Sequence, residues 1–300
     1  MHTTPVTTRT LNGDDGDSGT TPLIAKPSRW RRVRQYPLTW FLFAPLILIV
    51  EGLFLGPASG ASLPVVVSLT AASGIAAWLM YLFVMRRVAG RATPELARRG
   101  AGRELLRGAG VGAGFVSLSI GLITLFGGYH FSAGTGSLLP VLISTVVGAL
   151  AGAVAEETAF RGIGVQALER LGGSWFALIA TSFLFGLAHF FNPGATIWSS
   201  VAIFIEAGVL LGAAFLWRRN LWFAIGLHAA WNAVEGLFGI PVSGHADPAL
   251  ARVTEHGSAW LTGGSFGMEA SLIPVVISVA IAIPMLIAAR RAGHTAPSCS

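Results

Sequence analysis

Eight long apolar runs, separated by short polar and basic segments, set the pattern of hydrophobic and polar positions along this 300-residue chain. Each is near the ~20 residues that a helix needs to cross a bilayer. They fall at about 38–56, 64–85, 108–128, 137–160, 175–191, 197–216, 221–239 and 271–289. The pattern predicts an all-α fold, a polytopic transmembrane helical bundle of about eight spans. The fourth run is expected to continue as an amphipathic helix to Arg170, and residues 240–270 to form the longest loop. Residues 1–36 are polar and read as a disordered cytoplasmic tail, and residues 292–300 as a C-terminal tail. No apolar core directly follows a basic start in residues 1–25, so a cleavable signal peptide is not expected there.

The basic residues orient the bundle. With the N-terminus in the cytoplasm, 19 of the 20 Lys and Arg residues fall in inner segments, and only Arg252 falls outside. Adding or removing one span would scramble this alternation. Both termini are therefore expected to be cytoplasmic. Composition agrees, because 53% of the residues are hydrophobic and 11% are charged, about half the charge of a soluble domain. Mean hydropathy is +0.67. A net charge of +6 on a soluble protein would raise nucleic-acid binding. Here the basic clusters sit at the ends of apolar runs, so the lipid bilayer explains them and no nucleic-acid partner is expected. One cysteine, Cys299, excludes an internal disulfide and a thiolate metal cage. Followed only by Ser300, it is not placed as a prenylation box.

Ionisable residues inside lipid-spanning helices are costly and mark function. Three clusters of them lie in neighbouring apolar runs: Glu156-Glu157 with Arg161, Phe185 with His189, and His228 with Asn232. At ~100° per residue Arg161 lies about 40° from Glu157 and about 140° from Glu156. Glu157 can pair with Arg161 across one turn, leaving Glu156 free to act as a general base on water. A buried ion-pair cluster without chemistry would also account for this motif. Phe185 shares a helical face with His189 and can pack under the imidazole, and a packing histidine is the plain alternative there. His228 and Asn232 share a face too. Together they could donate hydrogen bonds to a developing oxyanion, or serve as interhelical polar glue.

Geometry joins two of these motifs. Glu156 lies 16 residues before Gly172 and His189 lies 16 after Gly173. A helical hairpin turning at Gly172-Gly173 places both about 24 Å from its tip. His228 should lie about 10 Å below the inner surface. The levels agree if the tip projects into the cytoplasm by one to two turns, as the polar residues Arg161, Gln166, Glu169 and Arg170 allow. The fifth run then ends near mid-membrane at Asn192-Pro193-Gly194, which is tolerable only where it lines a cavity.

The three motifs, in this order, resemble those of the CAAX protease and bacteriocin-processing (CPBP, or Abi) family of intramembrane endopeptidases. That family carries Glu-Glu-x-x-x-Arg, then Phe-x-x-x-His, then His-x-x-x-Asn or a similar residue. The resemblance covers about residues 105–240 within a transmembrane unit at 37–291. It implies hydrolysis of a peptide or protein substrate near the cytoplasmic face, in a multi-pass protein of bacterial plasma-membrane type. Glu156 and His189 would activate water, and His228 and Asn232 would stabilise the oxyanion. Glu157, Arg161 and Phe185 would support them. The expected mechanism uses no cofactor, because an Asn beside a His suits an oxyanion better than zinc. The alternative is a zinc ion held by Glu156, His189 and His228.

Other classes stay in view. A proton-coupled secondary transporter would use glutamates and histidines in broken helices, but no internal symmetry is visible. A non-catalytic scaffold or immunity protein would use the same fold for binding. Glu206 and Glu235 read as structural partners. His2, His130, His245, His256 and His294 read as loop and tail residues without a role.

Overall fold

The structure, a computed structural model, describes residues 33–55 and 60–297. The expected tail over 1–36 therefore lies, for residues 1–32, outside the described residues, as does Cys299. The described chain is a helical bundle with a small cap. In order it forms α1 (Pro37–Phe41), α2 (Ala44–Leu55), α3 (Leu63–Phe83), α4 (Ala101–Leu125), α5 (Leu138–Glu157), α6 (Gln166–His189), α7 (Ile197–Ile203), α8 (Leu210–Arg218), α9 (Leu221–Leu237), α10 (Ala259–Thr262) and α11 (Leu272–Arg291). Among the described residues, six helices are long and apolar enough to cross a membrane. One of these, Leu138–Phe191, is 54 residues long and holds both the fourth and the fifth expected spans. The 17-residue α9 supplies the seventh. Each of the eight expected runs thus falls on helical structure, the first on α1 and α2 and the sixth on α7 and α8.

Lipid-facing surfaces follow from the apolar pattern. Ile75, Leu79 and Phe83, one turn apart on α3, are all exposed, and so are Val276, Ile283 and Ile287 on α11. Such faces belong in hydrocarbon rather than water. The helix pair α7–α8 lies at the centre instead, buried over most of its length.

Close packing fixes the position of α9. A Cβ on Gly108 or Gly112 of α4 would fall 2.0 Å from the Phe223 carbonyl oxygen or 2.1 Å from that of Leu227. One on Gly226 would fall 2.1 Å from the Leu105 carbonyl oxygen. The two backbones therefore touch along the segment that carries His228, the close approach that a Gly-x-x-x-Gly face permits.

Three helices widen into π-helical turns, at Val84–Val88, Thr158–Val165 and Phe204–Val209. The second joins α5 to α6. Within the α6 segment the chain reverses at Gly173, whose φ of 80° and ψ of 174° are not helical. The hairpin register is visible in two contacts. Gly164 packs on Thr181, and the Phe160 and Phe185 rings meet edge to face at 4.8 Å. Both pairs are equidistant from a centre between Gly172 and Gly173, and so are Glu156 and His189. The tip is tied to α8 by the ion pair of Glu169 with Arg219, 2.6 Å apart.

The expected loop 240–270 carries more structure than its composition indicates. Its strand β2 (Ala251–Glu255) pairs antiparallel with β1 (Tyr129–Ala133), Phe131 opposite Val253. The Tyr129 hydroxyl donates to the Thr262 carbonyl. Two three-residue 3-10 turns, Gly264–Phe266 and Met268–Ala270, then descend into the bundle. A Cβ on Gly267 would lie 3.5 Å from Glu235 Oε1. Glu269, 2% exposed, bonds Ser243.

Candidate active site

The centre of the site is Glu157. At the last turn of α5, just before the π-helical segment, its side chain is fully buried. Its Oε1 accepts from Arg161 Nη1 at 2.9 Å and from His228 Nδ1 at 2.9 Å. Arg161 in turn donates through Nη2 to the carbonyls of Ala207 and Gly208, at 2.9 and 3.1 Å. Those carbonyls belong to the second π-helical turn, Phe204–Val209. The guanidinium also lies over the Phe185 ring, 4.7 Å from its centroid. One buried cation therefore ties α5, α6 and the α7–α8 run together, with every contact charge-assisted or dispersive.

Glu156 behaves differently. Its side chain is 24% exposed, and Oε2 faces His228 Nε2 at 3.8 Å, beyond hydrogen-bond reach. That oxygen has no hydrogen-bond partner among the described residues. The ~100° between neighbouring residues of a helix thus puts one carboxylate into the packed ion pair and leaves the other without a bonded partner.

Phe185 is the apolar floor. His189 stacks on it at 4.6 Å, and the His228 ring lies 6.3 Å away at a steep angle. His189 Nδ1 is 2.8 Å from the Phe185 carbonyl. A carbonyl only accepts, so Nδ1 carries the proton and Nε2 of neutral His189 holds the lone pair. The same reasoning applies to His228: Nδ1–H donates to Glu157, and Nε2 is the atom presented to Glu156. Asn232, one turn beyond His228, is half-buried and its side chain makes no hydrogen bond among the described residues.

The arrangement gathers Glu156, Glu157, Arg161, Phe185, His189 and His228 from three segments of the chain, with Asn232 at its edge. Several contacts were not readable in sequence. The Glu157–His228 bond needs α5 beside α9, and nothing in a helical wheel reports neighbours. Glu51 on α2 also reaches the site. A Cβ on Gly152, one turn before Glu156, would lie 3.7 Å from Glu51 Oε1, and Glu51 and Glu156 interact electrostatically. An ionisable residue within an apolar run was the available signal. Glu206 and Glu235, expected as structural, are completely buried; Trp231 Nε1 donates to Glu235 at 3.0 Å.

Among the described residues, no group of three or more His, Cys, Asp or Glu side chains is arranged to hold a metal ion. No step of the reaction proposed for this site is routed through a metal.

Residues 137–234 match the family model described as Type II CAAX prenyl endopeptidase Rce1-like. The match contains all seven residues of the three motifs and none of Glu51, Ser243 and Glu269. Comparison with curated proteins and with solved structures finds no match.

Proposed function

From the premise that residues 137–234 form a Rce1-like domain of the CAAX protease family, we propose that this multi-pass membrane protein is an intramembrane endopeptidase. Its substrate is a peptide or protein, and the protein supplies the water-activating groups itself. The observation that carries this reading is the division between the two adjacent carboxylates. Glu157 is fully buried and bonded through Oε1 to Arg161 and His228, whereas the Glu156 side chain is 24% exposed and makes no hydrogen bond among the described residues. A general base needs that freedom.

In the proposed reaction Glu156 takes a proton from a water held between its carboxylate and His189 Nε2. The water oxygen attacks the scissile carbonyl carbon. The resulting oxyanion is stabilised by N–H donors from His228 Nε2 and the Asn232 amide. For His228 to donate from Nε2 while Nδ1–H is bonded to Glu157, it acts as an imidazolium, and Glu157 provides the counter-charge. Collapse of the intermediate breaks the C–N bond, and Glu156 returns its proton to the leaving amine. The concentration of basic residues on one side of the membrane supports placing the site near the cytoplasmic face, with both termini in the cytoplasm.

The test is cleavage of internally quenched peptides, with and without a prenyl group, by the full chain in nanodiscs. Glu156→Gln keeps the side-chain volume and removes the base. Cleavage should fall by a factor of at least ~10² while thermal unfolding stays close to that of the parent. Full proteolysis by this variant would remove Glu156 from the mechanism. A cellular effect that persists in the variant would favour the non-catalytic scaffold.

A further inference from the structure

The outer cap bears on the site through a continuous set of bonds that none of the three motifs includes. Glu269, in the turn before α11, accepts at Oε2 from the Ser243 backbone N–H at 2.6 Å and from its hydroxyl at 2.8 Å. The Ser243 carbonyl accepts from the Asn192 side-chain amide at 3.0 Å. Asn192 N–H in turn donates to the His189 carbonyl at 3.2 Å, which closes the last turn of α6.

The backbone around Ser243 is built for this contact. Ser243 has a φ of 48°, in the left-handed region, a conformation that costs a non-glycine residue energy and persists only where its surroundings impose it. Next to it, Gly244 has a φ of 86°, and a Cβ there would lie 1.9 Å from the Pro193 carbonyl oxygen. Gly244 N–H bonds the Phe266 carbonyl at 2.7 Å. The turn Val242–His245, closed by reciprocal backbone bonds of 2.9 Å, is thus pressed directly on the loop that follows His189.

We propose that Glu269, Ser243 and Asn192 are positioning residues for His189. The cap clamps the Asn192-Pro193-Gly194 loop, and the clamp fixes the height and rotation of the His189 imidazole over Phe185. A helix that stops inside the membrane has unpaired carbonyls and no following turn to hold its last side chain. The cap supplies the missing restraint. Two of the three residues lie beyond the segment that matches the family model, so the site is incomplete without the outer loop. This assignment rests on the catalytic role given to His189 above.

Hydrogen–deuterium exchange of the full-length protein in nanodiscs tests the clamp without requiring turnover. In Glu269→Ala the peptides covering 187–195 should exchange roughly fivefold faster or more, with α4 and α9 unaffected. Glu269→Gln should stay close to the parent, because its amide oxygen accepts the same two bonds. Ser243→Ala, which keeps the backbone bond and loses the hydroxyl bond, should fall between them. In cleavage assays Glu269→Ala should lower kcat roughly tenfold or more and leave KM nearly unchanged. Unaltered exchange at 187–195 in Glu269→Ala would overturn the proposal, as would Glu269→Gln behaving like Glu269→Ala. If Glu269→Ala does not fold, the graded exchange of Ser243→Ala against the parent decides. If the parent cleaves no peptide, the protease reading fails while the exchange results still judge the clamp.

Discussion

His228 Nδ1 and Glu157 Oε1 are 2.9 Å apart and belong to helices that are not consecutive in the chain. The bond joins α9 to the α5 end, and it shares its acceptor oxygen with Arg161. Glu157 therefore holds two donors at one atom inside a fully buried environment, and its other oxygen is unbonded among the described residues.

Removing that acceptor leaves Arg161 buried without its counter-charge. Breaking one side of a buried ion pair typically costs ~3–5 kcal/mol, so Glu157→Ala should lower the unfolding midpoint strongly. Arg161→Met alone should also destabilise, because Glu157 would be left buried and charged. The double variant should lose clearly less than the two single losses combined. Chemical or thermal unfolding of all three in detergent gives the comparison, and simple additivity would show that the pair is not coupled.

Asn232 should behave in the opposite way. Its side chain is half-buried and free of hydrogen bonds among the described residues, so Asn232→Ala should change stability by less than ~0.5 kcal/mol. If the amide donates to the oxyanion, kcat should fall about 10²–10³-fold, with KM little affected. Steady-state kinetics on one quenched peptide separates the two parameters. A rise in KM at constant kcat would make Asn232 a substrate-binding residue instead.

The contact of α4 with α9 sets the height of His228, and it tolerates no side-chain atom. Gly112→Ala places a Cβ against the Leu227 carbonyl, and such overpacking costs ~1–3 kcal/mol. Because Leu227 precedes His228, the variant should lose cleavage activity more steeply than stability. Gly110→Ala is the control, since a Cβ at Gly110 meets nothing within 4 Å. Equal behaviour of the two variants in unfolding and cleavage would show that the close approach is not needed.

Much of this arrangement was legible in the chain because apolar periodicity and helix geometry are local. The eight runs fall on helical structure, and the symmetry of Glu156 and His189 about Gly172-Gly173 foretold the hairpin that the Phe160–Phe185 and Gly164–Thr181 contacts display. The face argument likewise put Glu157 beside Arg161. What could not be read depends on which helices are neighbours. Nothing local tells that Glu157 also meets His228, that Arg161 ends on the carbonyls of a π-helical turn, or that Glu51 comes close to Glu156. The cap was missed for a different reason. Its Gly-Ser composition reads as an unstructured loop, yet those glycines, Gly244 and Gly267 with positive φ and Gly194 opposite them, let backbone press on backbone where any side chain would clash.

Glu269 offers a test by pH that does not depend on activity. Lying before α11 and outside the membrane-spanning segments, its carboxyl is pushed up from 4.5 to about 7, chiefly by burial, with Glu156 adding to the rise and the Ser243 bonds and His228 opposing it. Glu206 and Glu235, also buried, are its acidic neighbours. A group that holds its proton more tightly in the folded state stabilises the fold fully below its unfolded value and loses that contribution as pH rises through the folded one. The parent should therefore lose stability between about pH 4.5 and 7. Glu269→Gln cannot ionise and keeps the Ser243 bonds, so its unfolding midpoint should fall less over that interval. The two curves should meet at the acid end and diverge as pH rises, the variant lying above. Parallel curves across the whole range would mean that Glu269 titrates alike in the folded and unfolded chains, and the burial that the cap imposes on it would then be absent in solution.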